Sequence, residues 1–152
     1  MRSLPGVAAS LWLGAMAFFA FVVAPAAFAT LEREAAGRFV TAILPRYYLM
    51  GIALGLFALA GCAGRGMLRG WRAWDWLPLG LVLLMLALTW YAWAVVLPAA
   101  HAAREAMREA GAGARPAETR QFARLHRLSS VLNGAVMIAG MALLVVEVIR
   151  KP

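Results

Sequence analysis

The side chains best equipped for chemistry fall in two parts of the chain. One is the run Phe122-Ala123-Arg124-Leu125-His126-Arg127-Leu128-Ser129-Ser130, which continues to Asn133. The other is Pro45-Arg46-Tyr47-Tyr48, with Thr89-Trp90-Tyr91 and Trp93 further on. Histidine titrates near neutral pH and ligates metal or haem iron through a ring nitrogen. Serine, asparagine and tyrosine supply neutral donors and acceptors, and arginine a fixed positive charge. At about 100° per residue, Phe122, His126, Ser130, Asn133, Met137, Gly140 and Leu144 form one helical stripe. Arg120, Arg124 and Arg127 fall on nearly the opposite side. Polar groups in a lipid-embedded bundle face its interior. His126 and Asn133 are therefore expected to point inward, with the arginines toward water or lipid phosphates. The candidate ligand-binding set is His126, Asn133, Ser130, Ser129, Arg46, Tyr47 and Tyr91, with His126 as the metal-ligand candidate.

Other reactive types read more plainly as structure. No acid–base pair lies inside a span, no nucleophile has a partner, and no metal-ligand spacing occurs, so no catalytic set is assembled. The single cysteine, Cys62, cannot form an internal disulfide and reads as a small buried apolar residue. The eight methionines are scattered, as core filling requires. Glu147 is followed by Arg150 and Lys151 at i+3 and i+4, spacing suited to an interfacial ion pair. His101 sits on a helical extension and is expected to be solvated.

The elements that carry these residues are set by composition. Of 152 residues, 64% are hydrophobic and only 14% charged, against roughly 25% charged in soluble domains. Lipid must cover that apolar surface. The uncharged stretches Ser3–Leu31, Tyr47–Gly64, Trp76–Ala103 and Leu128–Val146 can each cross a hydrocarbon core about 30 Å thick. The predicted fold is all-α, a single four-transmembrane-helix domain over 1–152 with spans at about 6–29, 44–63, 76–100 and 128–149. Leu31, Ala35, Phe39 and Ile43 predict a short interfacial helix between the first two spans. The tract Ala110–Pro116 predicts a break between helical extensions joining the last two. Gly51 and Gly55 allow close helix contact. The first span resembles a secretory signal with Ala27-Phe28-Ala29 as its cleavage site. Its apolar run is longer than a signal core, so retention is expected. No internal repeat or nucleotide motif stands out.

Charge bounds the partners. The net charge is +8, from fourteen arginines and one lysine. These lie between apolar spans rather than in one patch, which points to anionic lipid heads and away from nucleic acid. Arginine over lysine, with abundant alanine and glycine, fits a GC-rich bacterial genome and hence a bacterial inner membrane. Face A, the side of both termini and the Arg65–Asp75 loop, holds six Lys/Arg in short segments; face B holds nine in longer loops. Raw count favours face B inside and density in short loops favours face A; the termini are expected in the cytoplasm. Nearly all the polar groups gather toward face B, and face A reads as inert and belted with tryptophan.

The residues singled out also carry a resemblance. Gly14…Phe18-Phe19…Ala24-Pro25…Phe28…Leu31, Ala36-Gly37-Arg38, Pro45-Arg46-Tyr47-Tyr48, Pro98 and Phe122…His126…Ser129…Asn133 resemble the transmembrane-protein-205-like family. The resemblance covers almost the whole chain and implies a four-helix membrane protein of uncharacterised role. Its architecture is distantly similar to copper-resistance D-like proteins and to a small haem-binding protoporphyrinogen oxidase. The leading expectation is a non-catalytic accessory subunit, or a small transport or stress-related component, without cofactor. Its partners would be membrane lipids and other membrane proteins or further copies of itself. The alternative is a haem- or metal-binding oxidoreductase with His126 as ligand, Arg46 or Arg124 near the propionates, and Trp90, Tyr91 or Trp93 lining the pocket. A polar-lipid or anion carrier ranks third.

Overall fold

The computed structural model describes residues 4–110 and 116–149, and their regular structure is helical throughout. Helix α1 comprises Leu4–Phe18, a π-turn at Phe19–Val23 and Ala24–Thr30. Helix α2 is Arg33–Arg69. Helix α3 begins with a 3-10 turn at Ala73–Asp75 and continues through Trp76–Tyr91, a π-turn at Ala92–Val96 and Leu97–Ala110. Helix α4 is Pro116–Ile149. Each contains an 18-residue window of mean hydropathy between 1.7 and 2.2, enough to cross a membrane.

The four helices form a ring in which α1 packs on α2, α2 on α3, α3 on α4 and α4 on α1. Helices α2 and α4 thus face each other across a diagonal. The core between them is built from Trp12, Met16, Ala58, Cys62, Val82, Met85, Val136 and Leu143. Close approach depends on small residues. A Cβ added at Gly51 would stand 2.8 Å from Trp12 Nε1, and one at Gly55 would stand 2.5 Å from Leu86 and 2.8 Å from Trp12. The Gly51/Gly55 groove of α2 is therefore filled by the Trp12 ring and by Leu86 of α3.

The outer surface is as apolar as the core. Phe21 is 73% exposed, Ile138 66% and Leu68 88%. Soluble monomers rarely expose apolar patches beyond a few hundred Å². Four long apolar helices with greasy exteriors define a multi-pass membrane protein.

One connection differs from the sequence reading. The stretch predicted as a short interfacial helix is helical but continuous with the second span, so that α2 runs unbroken through Pro45. A proline removes one backbone donor, and the side chains nearby add bonds to this turn. Arg46 Nη1 donates to the Ala42 carbonyl at 3.3 Å, and Arg104 Nη1 reaches Thr41 Oγ1 at 2.6 Å. The interior of the Ala110–Pro116 tract lies outside the described residues. At the other end of α2, Gly70 adopts φ +79° and terminates the helix, a conformation that favours glycine. Trp71 then folds back onto Gly66 and stacks on Trp76 with ring centroids 5.0 Å apart.

The structure also reveals a repeat. Leu4-Pro5 matches Leu77-Pro78, Val22-Val23-Ala24-Pro25-Ala26-Ala27 matches Val95-Val96-Leu97-Pro98-Ala99-Ala100, and Glu32 matches Glu105 at the same offset. The π-turns occupy equivalent positions two residues before Pro25 and Pro98. In each, the amide following the turn reaches back five residues, Ala24 to Phe19 and Leu97 to Ala92. Buried positions match as well: Ala9 with Val82, Trp12 with Met85, Met16 with Thr89. Helices α1 and α3 are thus two copies of one element. Each is followed by one further helix, which gives the pairs α1–α2 and α3–α4.

Candidate functional site

Two polar bridges cross the diagonal between α2 and α4. The first lies toward face B. Consecutive residues Tyr47 and Tyr48 straddle the inward edge of α2, while Ser129 and Asn133, one turn apart, present a matching pair from α4. Tyr47 donates its hydroxyl to Asn133 Oδ1 at 2.9 Å. Asn133 Nδ2 donates to the Tyr48 hydroxyl at 3.0 Å and to the Ser129 carbonyl at 2.9 Å. The Tyr48 hydroxyl lies 3.0 Å from Ser129 Oγ, completing the circuit. The Asn133 amide uses its carbonyl and both hydrogens. Tyr48 is 2% exposed, and the Tyr47 ring packs on Phe19 and Tyr48.

The rest of the sequence-predicted set is not brought into this cluster. His126 is exposed, and its ring runs alongside Phe122 with centroids 6.3 Å apart. Ser130 is exposed and donates to the His126 carbonyl of its own helix at 3.0 Å. Arg46 is exposed and bonded within α2, and Tyr91 is 42% exposed on α3. The reason is helical phase. The inward seam of α4 runs Phe122, Leu125, Ser129, Leu132, Val136, Ala139, Leu143, all buried or half-buried. That spacing averages about 3.5 residues, as interdigitated helices require. The expected stripe runs one residue C-terminal to that seam at His126 and Ser130, about 100° around the helix. Asn133 borders the seam and turns inward, as do Met137, Gly140 and Leu144 further along the predicted stripe, whereas His126 and Ser130 do not.

The second bridge lies toward face A, the end read as inert. Arg65 forks onto Glu147 across the diagonal, Nη1 to Oε2 at 3.0 Å and Nη2 to Oε1 at 2.9 Å. Their side chains are 19% and 6% exposed. Asp75 Oδ1 stands 3.9 Å from Arg65 Nε. Asp75 also accepts from the Arg72 amide at 2.8 Å and so fixes the start of α3. Glu147 is therefore tied to another helix; Arg150 and Lys151, its expected partners, lie outside the described residues. Sequence reading missed this pair because its members are far apart in the chain. The available signal was a lone acid within the apolar run of the last span and an arginine at the corresponding depth of the second.

From Tyr48 to Arg65 the helix rises ~25 Å at 1.5 Å per residue. The bridges thus fall near the two edges of a hydrocarbon core about 30 Å thick. Between them the diagonal is filled by apolar and small residues. Each bridge ties helices from different pairs, so together they fix the pairs against sliding and rotation.

As a haem environment the predicted residues fit poorly: His126, Arg46 and Tyr91 are exposed on three different helices. Among the described residues no three His, Cys, Asp or Glu side chains gather as a metal site.

Comparison with known proteins yields one match. The family model of a domain of unknown function, DUF4149, matches residues 7–109. No curated protein and no solved structure matches.

Proposed function

The chain belongs to the DUF4149 family, and we propose that this member works as a non-catalytic integral membrane component, either an accessory subunit or a small transport or stress-related protein. The observation that carries the reading is the closure of the Tyr47–Tyr48–Ser129–Asn133 circuit. Its polar atoms bond to one another rather than pointing into a cavity. Polar groups so arranged brace helices in lipid. The transmembrane-protein-205-like resemblance belongs to the same proposal, as does residence in a bacterial inner membrane with cytoplasmic termini. Partners would be other membrane proteins or further copies of the chain, packed through the apolar exterior. Ligand contact, if this component has one, belongs at the face B end, where the chain's polar side chains concentrate.

The test is purification of the full chain in mild detergent, with visible spectroscopy and identification of copurifying proteins. The expected outcome is a defined membrane partner, or a defined homo-oligomer, and no Soret band. A Soret band lost in His126→Ala would overturn the proposal in favour of the haem reading.

A further inference from the structure

A separate polar region lies at face B, outside the tyrosine–asparagine bridge. The distal segment of α3, Leu97–Ala110, packs there against the first turns of α2. Between them runs an open groove of about 700 Å³ whose lining includes Glu34, Arg38, His101, Arg104, Glu105 and Arg108. Two of its arginines have acidic partners: Glu34 holds Arg38 at 2.9 Å, and Glu105 holds Arg108. Arg104 has none among the described residues. Its Nη1 donates to the Gly37 carbonyl and to Thr41 Oγ1, and its Nη2 reaches the Glu34 carbonyl at 3.4 Å. Carbonyl and hydroxyl dipoles orient this guanidinium without neutralising it. Gly37 is required by that docking, because a Cβ there would overlap the guanidinium. One turn earlier on α3, His101 Nε2 is buried without a hydrogen-bond partner among the described residues. A buried unpaired nitrogen is destabilising until a partner reaches it.

The repeat isolates these two residues. At the equivalent positions α1 carries Phe28 and Leu31, both apolar. Helix α3 carries His101 and Arg104 there and continues to Ala110, beyond the point equivalent to the end of α1. We infer that this groove binds a phosphate group, with the Arg104 guanidinium as donor, His101 Nε2–H as a second donor when its ring turns toward the groove, and Arg38 and Arg108 at the rim. A guanidinium fork matches phosphate oxygens. The groove also follows the apolar span of α3, at the level where lipid headgroups lie. A phospholipid headgroup and a free phosphate present the same oxygens.

The chain has two histidines, His101 and His126, so imidazole 15N resonances of the full protein in maltoside micelles report on the groove with a built-in control. The His126→Gln variant assigns the signals. One arm adds dioleoyl phosphatidic acid, and the other adds inorganic phosphate. The expected result is a saturable shift of the His101 resonances with His126 unchanged. Saturation in the lipid arm identifies a headgroup, and saturation in the phosphate arm identifies a free anion. Arg104→Gln should weaken binding about tenfold or more. Because Arg104 also tethers α2, His101→Phe provides a second variant that removes the unpaired nitrogen and keeps an aromatic ring. It should match or exceed wild-type thermal stability and weaken binding of the same probe, followed by 31P NMR, about tenfold. Absence of a His101 shift in both arms would overturn the inference. So would binding of wild-type strength in both variants.

Discussion

At the scale of single residues, the two bridges differ in kind and in what their loss costs. Asn133 joins α4 to both tyrosines, and Asn133→Ala leaves their hydroxyls seeking new partners. Interhelical hydrogen bonds in membranes contribute about 0.6–2 kcal/mol, so Asn133→Ala should lower stability by ~1–2 kcal/mol in reversible unfolding from detergent. Ser130→Ala and His126→Ala alter exposed groups and should stay within ~0.5 kcal/mol of wild type. Equal losses in His126→Ala and Asn133→Ala would contradict the observed phase of α4. At the other end, Arg65 and Glu147 are mostly buried. Removing one partner of a buried pair costs ~3–5 kcal/mol, so Arg65→Ala and Glu147→Ala should each be severe. The double replacement by methionine should be much milder than the sum, as coupled sites require. The sequence exposed Asn133, Ser129 and Tyr47 as notable because polar residues inside apolar runs are conspicuous. It misplaced His126 and Ser130 because polarity was taken to mark the inward face, whereas the packed seam lies one residue, about 100°, to the side of them. It could not pair Arg65 with Glu147, since that contact depends on which helices face each other.

At the scale of elements, length and hydropathy made the four spans legible. Continuity and close packing were less so. Proline at 45 reads locally as a breaker, yet α2 passes through it because packing on both sides holds the helix together. The π-turns follow from Pro25 and Pro98: each proline lacks an amide, and the turn before it takes up the mismatch by reaching back five residues rather than four. Glycine positions separate contact from mere tolerance. Gly55 faces Leu86 and Trp12, whereas a Cβ at Gly64 would meet nothing within 4 Å. Gly55→Val should therefore destabilise by ~1–3 kcal/mol through overpacking. Gly64→Ala, in the same helix, should stabilise by ~0.5–1 kcal/mol by lowering backbone entropy loss. Thermal midpoints of the two variants in one detergent check both signs. A stabilised Gly55→Val would mean that the Trp12 ring does not occupy the α2 groove in solution.

At the scale of the whole molecule, the pairs α1–α2 and α3–α4 meet across α2 and α4, and a bridge near each membrane edge holds them in register. Four crossings put the start of α1, the Gly70 turn and the end of α4 on one side, and the segment between Ala110 and Pro116 on the other. Which side is cytoplasmic depends on basic residues close to the spans. Of the face A group, Arg65 is committed to Glu147 inside the bundle. That leaves Arg2, Arg69, Arg72, Arg150 and Lys151 as the ones that can interact with the insertion machinery or lipid heads. Their short segments are the kind on which the positive-inside rule operates. Reporter fusions at either end and insertions at Gly70 should read as cytoplasmic, and an insertion between Ala110 and Pro116 as external. The rule also fixes how the topology should fail. Replacing Arg2, Arg69 and Arg72 together by glutamine removes charge from both short segments while leaving the Arg65–Glu147 bridge intact. The four reporters should then read as mixed together rather than shifting one at a time, because the bridges across α2 and α4 couple the two helix pairs. Unchanged cytoplasmic readings in that triple variant would show that the nine basic residues of face B, or a partner, set the orientation instead.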